Sequence, residues 1–294
     1  MWQTISDATT RRATRRLFAA YLFVAGCALA FPHRPAAWPL LALLHIAGIA
    51  LLLYPRLLRR ASAPGSRAAR ILGDWYLLIL IPLLYKELVV LNSSVFNGRY
   101  FDALILMAEQ QLFGAQPSRE LAQALPYLPL SEFLHFSYLS YYLIIYGPPI
   151  YLYLRGRREA HQQLVFTLTL AFFAHYVFFI YFPVQGPRYL FPAPGGPIAH
   201  GFFYNLAHSV LEAGSSRGAA FPSSHVGVSF AQTAFAFGAL RKYAPLLLVL
   251  SSGLAVGAVY GGFHYATDVL CGLLYGLLLF AVAPRVARAI GRQT

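Results

Sequence analysis

Eight apolar stretches of about 15 to 24 residues constrain this chain more than any other feature; they fall at 17–31, 36–54, 71–91, 130–153, 161–183, 222–239, 244–262 and 264–283. Crossing the hydrocarbon of a bilayer takes about 20 apolar residues in a helix. Within lipid the backbone must satisfy its own hydrogen bonds, which a helix does. The expected fold is therefore all-α: a polytopic membrane helix bundle of about eight transmembrane helices. Charge supports this, because only 11% of the residues are charged whereas soluble domains average about 25%. A soluble, disordered or nucleic-acid-binding protein is excluded on that ground. Cys27 and Cys271 both lie in apolar stretches, so neither a disulfide framework nor a thiolate metal site is indicated.

The net charge of +13 sits in the segments between spans, where it sets orientation. With eight spans both termini share a side. The segments on that side hold Arg11, Arg12, Arg15, Arg16, Arg56, Arg59, Arg60, Arg67, Arg70, Arg155, Arg157, Arg158, Arg241, Lys242, Arg285, Arg288 and Arg292, seventeen cations in all. The opposite segments hold five, Arg34, Arg99, Arg119, Arg188 and Arg217, and Lys86 lies in the third span. The positive-inside rule makes the richer side cytoplasmic, in a cell inner or plasma membrane. A second reading of residues 17–31, ending Ala28-Leu29-Ala30, is a cleavable signal peptide, whose loss leaves the later spans oriented as before.

Two outer segments are long. Residues 92–129 contain Phe101 to Phe113, with Asp102 and Glu109 seven apart on one face among apolar neighbours; this pattern suits a helix lying in the interface. Residues 184–221 are rich in Pro, Gly and aromatics, which argues against a long regular element and for a lid-like loop. The organisation expected is a two-span extension over 1–70, a six-span core over 71–284 and a basic tail over 285–294.

Ionisable groups at membrane depth are costly and call for a functional reading beside a bland one. Phe221-Pro222-Ser223-Ser224-His225 opens the sixth span at its outer end. Its free amides and the helix dipole can hold an anion, and the same residues also suit an ordinary capped helix start. His264 and Asp268 stand one turn apart if the last span begins near His264. The carboxylate then fixes the imidazole tautomer and leaves the other nitrogen free to attack or take a proton; a plain helix-face hydrogen bond or half a metal site reads equally from this spacing. Arg188, on a Pro/Gly-rich turn, and Arg217, between Ser216 and Gly218, offer forks of donors for phosphate oxygens, or contacts to lipid headgroups. All of these fall on the outer side by the charge count alone.

At this point the chain resembles the type-2 phosphatidic acid phosphatase superfamily of membrane lipid phosphatases and phosphotransferases. Pro222-Ser223-Ser224-His225 matches its Pro-Ser-x-His motif, and His264 with Asp268 matches its His-x-x-x-Asp. The resemblance covers roughly 71–284. It implies that His264 is the nucleophile of a phosphohistidine intermediate, Asp268 its orienting partner and His225 the proton donor. It also implies that Arg188 binds phosphate; Arg217 and the amides from Ser223 to His225, with Ser224 among them, can hold further phosphate oxygens, and no metal or other cofactor is expected. The family pattern has a lysine seven residues before that arginine and Ser-Arg ahead of the last histidine, where this chain has Tyr181 and Gly257-Ala258. Arg217 or Lys86 can supply the missing charge; snorkelling to the interface is the bland reading of Lys86. These departures resemble the inositol phosphotransferase branch, as does Leu112-Phe113-Gly114. The implied activity is hydrolysis or transfer of a lipid-linked phosphate at the outer face, with membrane lipids and a lipid phosphate as partners. Its rivals are a metal-dependent hydrolase using His225, His264 and Asp268 with His200 or His208, a serine protease using Ser223 or Ser224, a transporter and a non-catalytic scaffold.

Overall fold

The computed structural model describes residues 5–54 and 67–292. Arg56, Arg59 and Arg60 of the basic set lie outside the described residues, as do the side chains of Arg67 and Arg70. Twelve α-helices make up the described fold: α1 (Asp7–Cys27), α2 (Trp38–Leu53), α3 (Arg67–Phe96), α4 (Asp102–Phe113), α5 (Pro117–Ala124), α6 (Leu128–Leu139), α7 (Tyr141–Leu154), α8 (Arg158–Tyr181), α9 (Phe202–Gly214), α10 (Ser224–Ala239), α11 (Ala244–Tyr260) and α12 (Ala266–Gly291). Among the described residues the only β-pairing is an isolated parallel bridge between Val184 and Ala219.

Among the described residues four segments are long and apolar enough to cross a membrane: Asp7–Ala30, Ile71–Phe96, Arg158–Tyr181 and Ala266–Gly291, with α2 and α11 as shorter apolar helices. The apolar run expected over 130–153 is two helices, not one. Ser137 and Ser140 donate their hydroxyls to the carbonyls of Phe133 and Ser137, a local competition that favours a break, and α7 restarts at Tyr141 with Pro148 and Pro149 inside it.

α8 forms the buried centre, with α1, α3, α10 and α12 packed around it. The tightest contact is between α10 and α12. A Cβ on Gly272 or Gly276 would collide with the backbone of Ser223 or Gly227, so only glycine permits this approach. That contact presses the start of α10 against the first turns of α12 and so sets the site.

The helix expected around Asp102 and Glu109 forms as α4. Its exposed side carries Leu104, Met107, Leu112 and Phe113, and its buried side Asp102, Ile105 and Glu109. The second long segment is less irregular than its composition suggests. After two short 3-10 turns it forms α9, whose first amides, Phe203 and Tyr204, donate to Glu132 Oε1 on α6 at 2.9 and 3.3 Å. That cap comes from a distant part of the chain, which is why no local signal announced the helix.

Candidate functional site

His225 lies in the first turn of α10, whose cap is Ser223; the Val226 amide donates to Ser223 Oγ at 3.5 Å. The imidazole of His225 packs against Tyr141 and Tyr138, with ring centroids at 4.4 and 5.4 Å. His264 faces it at 5.7 Å between centroids. The last helix starts at Ala266, two residues later than the sequence suggests, because extended Tyr265 donates its amide to Asp268 Oδ2 at 3.0 Å and so forms the cap. His264 therefore sits in the turn before α12, buried, with its own amide donating to the carbonyl of Ala258. His264 Nδ1 is 3.4 Å from Asp268 Oδ2, within electrostatic contact and longer than a good N–H···O bond.

The open end of α10 is narrower as an anion cradle than its sequence implies. The Ser223 amide donates to the Asp268 carbonyl at 2.9 Å, which couples the two motifs and occupies that donor. Ser224 and His225 keep first-turn amides with no intrahelical acceptor.

The cations converge on the same end of the bundle. Arg188 rides a 3-10 turn (Pro187–Tyr189) and donates to the Leu211 carbonyl at 3.1 Å, within electrostatic reach of His264. Lys86 donates to the Ala213 carbonyl at 3.2 Å, so the C-terminal end of α9 collects two cations, as a helix's negative pole should. Arg217 donates through Nε to Gln185 Oε1 at 2.7 Å. Tyr189 lies between the two guanidiniums, 5.1 Å from Arg188 and 5.2 Å from Arg217. The loops carrying these arginines are stitched together by the amide of Ala220 donating to Val184 and that of Val184 to Gly218.

Several participants were not identified from sequence. Asp102 accepts from the amides of Gln185 and Gly186 and from the Tyr265 hydroxyl, each at 3.0 Å. Gly186 takes φ +92, and a Cβ there would press on Ala220 and the Phe263 carbonyl. Glu109 Oε1 accepts from the amides of Ala266 and Thr267. Two acids in an otherwise apolar helix were the available signal; their targets lie about 80 and 160 residues on and were not legible. Burial raises the Glu109 carboxyl from 4.5 to about 6, with Asp268 adding to the rise and the two amides opposing it.

Beside Arg188 opens a cavity of about 350 Å³, lined also by Ser118, Arg119, Gln123, His208 and the strap 191–195. Ser118 Oγ and His208 Nε2 are buried there without a hydrogen-bond partner. Burial, helped by His135 and Arg188, lowers the His208 imidazole to about 4. His208 packs on Tyr204 and Phe263, and no group of three or more His, Cys, Asp or Glu among the described residues is arranged to hold a metal.

The helical bundle thus has several long apolar helices and brings two facing histidines beside an open helix end, with Arg188, Arg217 and Lys86 at the same end, the arrangement of an integral membrane protein with a cationic, histidine-bearing site. A family model described as the PAP2 superfamily matches residues 104–282, more than half of the chain, and the chain belongs to that superfamily, the type-2 phosphatidic acid phosphatases. Membership brings phosphatase-type chemistry on phosphate-containing substrates. Comparison with curated proteins and with solved structures found no match.

Proposed function

We propose that the protein is an integral-membrane lipid phosphatase or phosphotransferase that acts on a lipid-linked phosphate at the outer membrane face through a phosphohistidine on His264. The observation that carries this reading is the 5.7 Å approach of His225 and His264 at the end of the bundle where Arg188, Arg217 and Lys86 gather. Eight spans, cytoplasmic termini and the six-span core over 71–284 belong to the same proposal and rest on the charge asymmetry of the sequence.

In the first step neutral His264 attacks phosphorus. An N–P bond forms, the P–O bond to the leaving group breaks, and protonated His225 gives its proton to the departing oxygen. Asp268 balances the charge that develops on the imidazole. Arg188, Arg217 and the amides of Ser224 and His225 hold the non-bridging oxygens, with Ser223 fixing the helix start and Lys86 adding positive field. In the second step an O–H compound attacks the phosphohistidine, its proton passes to His225 and the N–P bond breaks. These side chains and amides supply the charge stabilisation, so the mechanism needs no metal. Water as acceptor gives hydrolysis, and a hydroxyl compound gives a phosphodiester. The cavity beside Arg188 favours the second outcome, including an inositol-type acceptor. Its unpartnered Ser118 hydroxyl and His208 nitrogen suit a hydroxyl-bearing group, and its size is at the small end of ligand pockets.

The test offers purified protein a panel of lipid phosphates and diphosphates, with and without hydroxyl acceptors. Wild type should release phosphate or form a new phosphodiester, and His264→Ala should be slower by at least about 10³-fold. Equal turnover by the variant would remove His264 as nucleophile.

A further inference from the structure

Three carboxylates, Asp102, Glu109 and Asp268, converge on the start of α12, and all three are buried. No Lys or Arg forms an ion pair with any of them among the described residues. Two of the three come from α4, which is not part of the helix pair carrying the histidines. Glu109 Oε1 takes the amides of Ala266 and Thr267, the first two residues of α12. Asp102 takes the Tyr265 hydroxyl just before them and the amides of Gln185 and Gly186 just before Arg188. One interfacial helix thus grips both the segment bearing His264 and Asp268 and the turn bearing Arg188.

We propose that Glu109, supported by Asp102, is a positioning residue for the reaction: its carboxylate fixes the first turn of α12 and with it the placement of His264 against Asp268. The proposal rests on His264-dependent phosphoryl transfer. A carboxylate at the positive pole of a helix accepts amide hydrogens more strongly when ionised, so the grip tightens with ionisation. The ionisable groups facing Glu109 are Asp268 in the first turn of α12 and the Tyr265 phenol before it; Asp102, on its own helix, meets that same phenol. Glu109 titrates at about 6, so kcat should climb as pH rises through that value. Stability runs the other way. The folded-state value is raised above 4.5, so the group's stabilising contribution is complete below that value and is lost as pH rises through about 6.

The experiment measures kcat and KM between pH 5 and 8 for wild type, Glu109→Gln, Glu109→Ala and the exposed control Leu112→Ala, with amide exchange of residues 264–270. Glu109→Gln keeps an acceptor oxygen but does not ionise; it should lose the limb near pH 6. Glu109→Ala should lose kcat by about 10- to 100-fold, the scale of a small misplacement of reacting groups, with KM held within a few fold and exchange at 266 and 267 accelerated. Leu112→Ala should match wild type. Full kcat in Glu109→Ala, or an unchanged limb in Glu109→Gln, overturns the proposal. If wild type and His264→Ala turn over alike, the reaction assigned to His264 is what fails. Exchange then decides the positioning role: acceleration in Glu109→Ala sustains it, and unchanged exchange overturns it.

Discussion

The two ends of the bundle use their carboxylates in different ways. At the end remote from His264, buried Asp74 on α3 is paired with Arg11 of α1 and with Arg158 of α8, the latter at 2.9 Å, and accepts from Gln162 at 3.1 Å. Arg12 and Arg16 cap the carbonyls at the end of α12, and Arg157 caps the Ala239 carbonyl at the end of α10. There one carboxylate neutralises two arginines, and three more arginines on helix-end carbonyls tie the helices together. At the His264 end positive and negative groups are kept apart. The acids accept from amides and a phenol, while Arg188, Lys86 and Arg217 donate to carbonyl or amide oxygens. A guanidinium held by a neutral acceptor is positioned without losing its charge, which leaves it able to attract a phosphate. Pairing with a carboxylate would have oriented it equally well and removed most of that attraction. At one end a carboxylate shares two of the arginines that hold the fold, and at the other, among the described residues, no carboxylate pairs with Arg188, Arg217 or Lys86.

The largest effect expected from this contrast is at Arg188. Arg188→Gln should lower kcat/KM by about 10²- to 10³-fold, the usual loss for one donor to a developing anionic charge, with thermal stability close to wild type because only a carbonyl contact to Leu211 and a ring contact to Tyr189 are released. Steady-state kinetics on the best lipid phosphate from the panel, with a thermal unfolding curve, checks both halves. A variant that loses stability while keeping its rate would place Arg188 with the structural charges and break the comparison. Asp74→Ala should do the reverse. It leaves two arginines without their shared carboxylate, and since both are partly exposed the cost should be about 1–3 kcal/mol, below that of a fully buried pair. A lower unfolding temperature with an unchanged rate is the expected result.

How far the sequence reads ahead differs between these regions for a physical reason. Long apolar runs are legible because bilayer thickness imposes a length on them: α3 and α8 were anticipated closely, while α1 begins ten residues before its expected run and α12 ends eight residues beyond its own. The open N-terminal end of α10 and the His264–Asp268 pair were legible because each depends on neighbours in sequence. The break at Ser140 was not, since a serine turn inside an apolar run leaves its hydropathy intact. Helix α9 depends on Glu132, and the start of α12, capped locally by Asp268, is held further by Glu109; these two carboxylates are brought to helix starts from 71 and 157 residues away. Capping rules read only the local residues, and there they find Gly201 and Tyr265. The two acids of α4 were noticed for their spacing on one face, yet what they grip is set by the fold.

The smallest expected effect sharpens the comparison most, because Lys86 belongs to both schemes. It lies on α3, the helix that also carries Asp74, but its ammonium donates to the last turn of α9, at the site end. If it serves only as a cation at a helix C-terminus, Lys86→Met should cost about 0.3–1 kcal/mol of stability and leave kinetics alone. If its charge contributes to the field at the phosphate, the same variant should also raise KM by a few fold. That rise should shrink as ionic strength increases, since an exposed charge acting over several ångströms is screened, whereas the loss in Arg188→Gln should persist in salt because it removes a direct donor. Comparing KM for the two variants at low and high salt separates attraction at a distance from contact. A salt-independent loss in Lys86→Met would move the ammonium into direct contact with substrate and make the cationic ring one member larger.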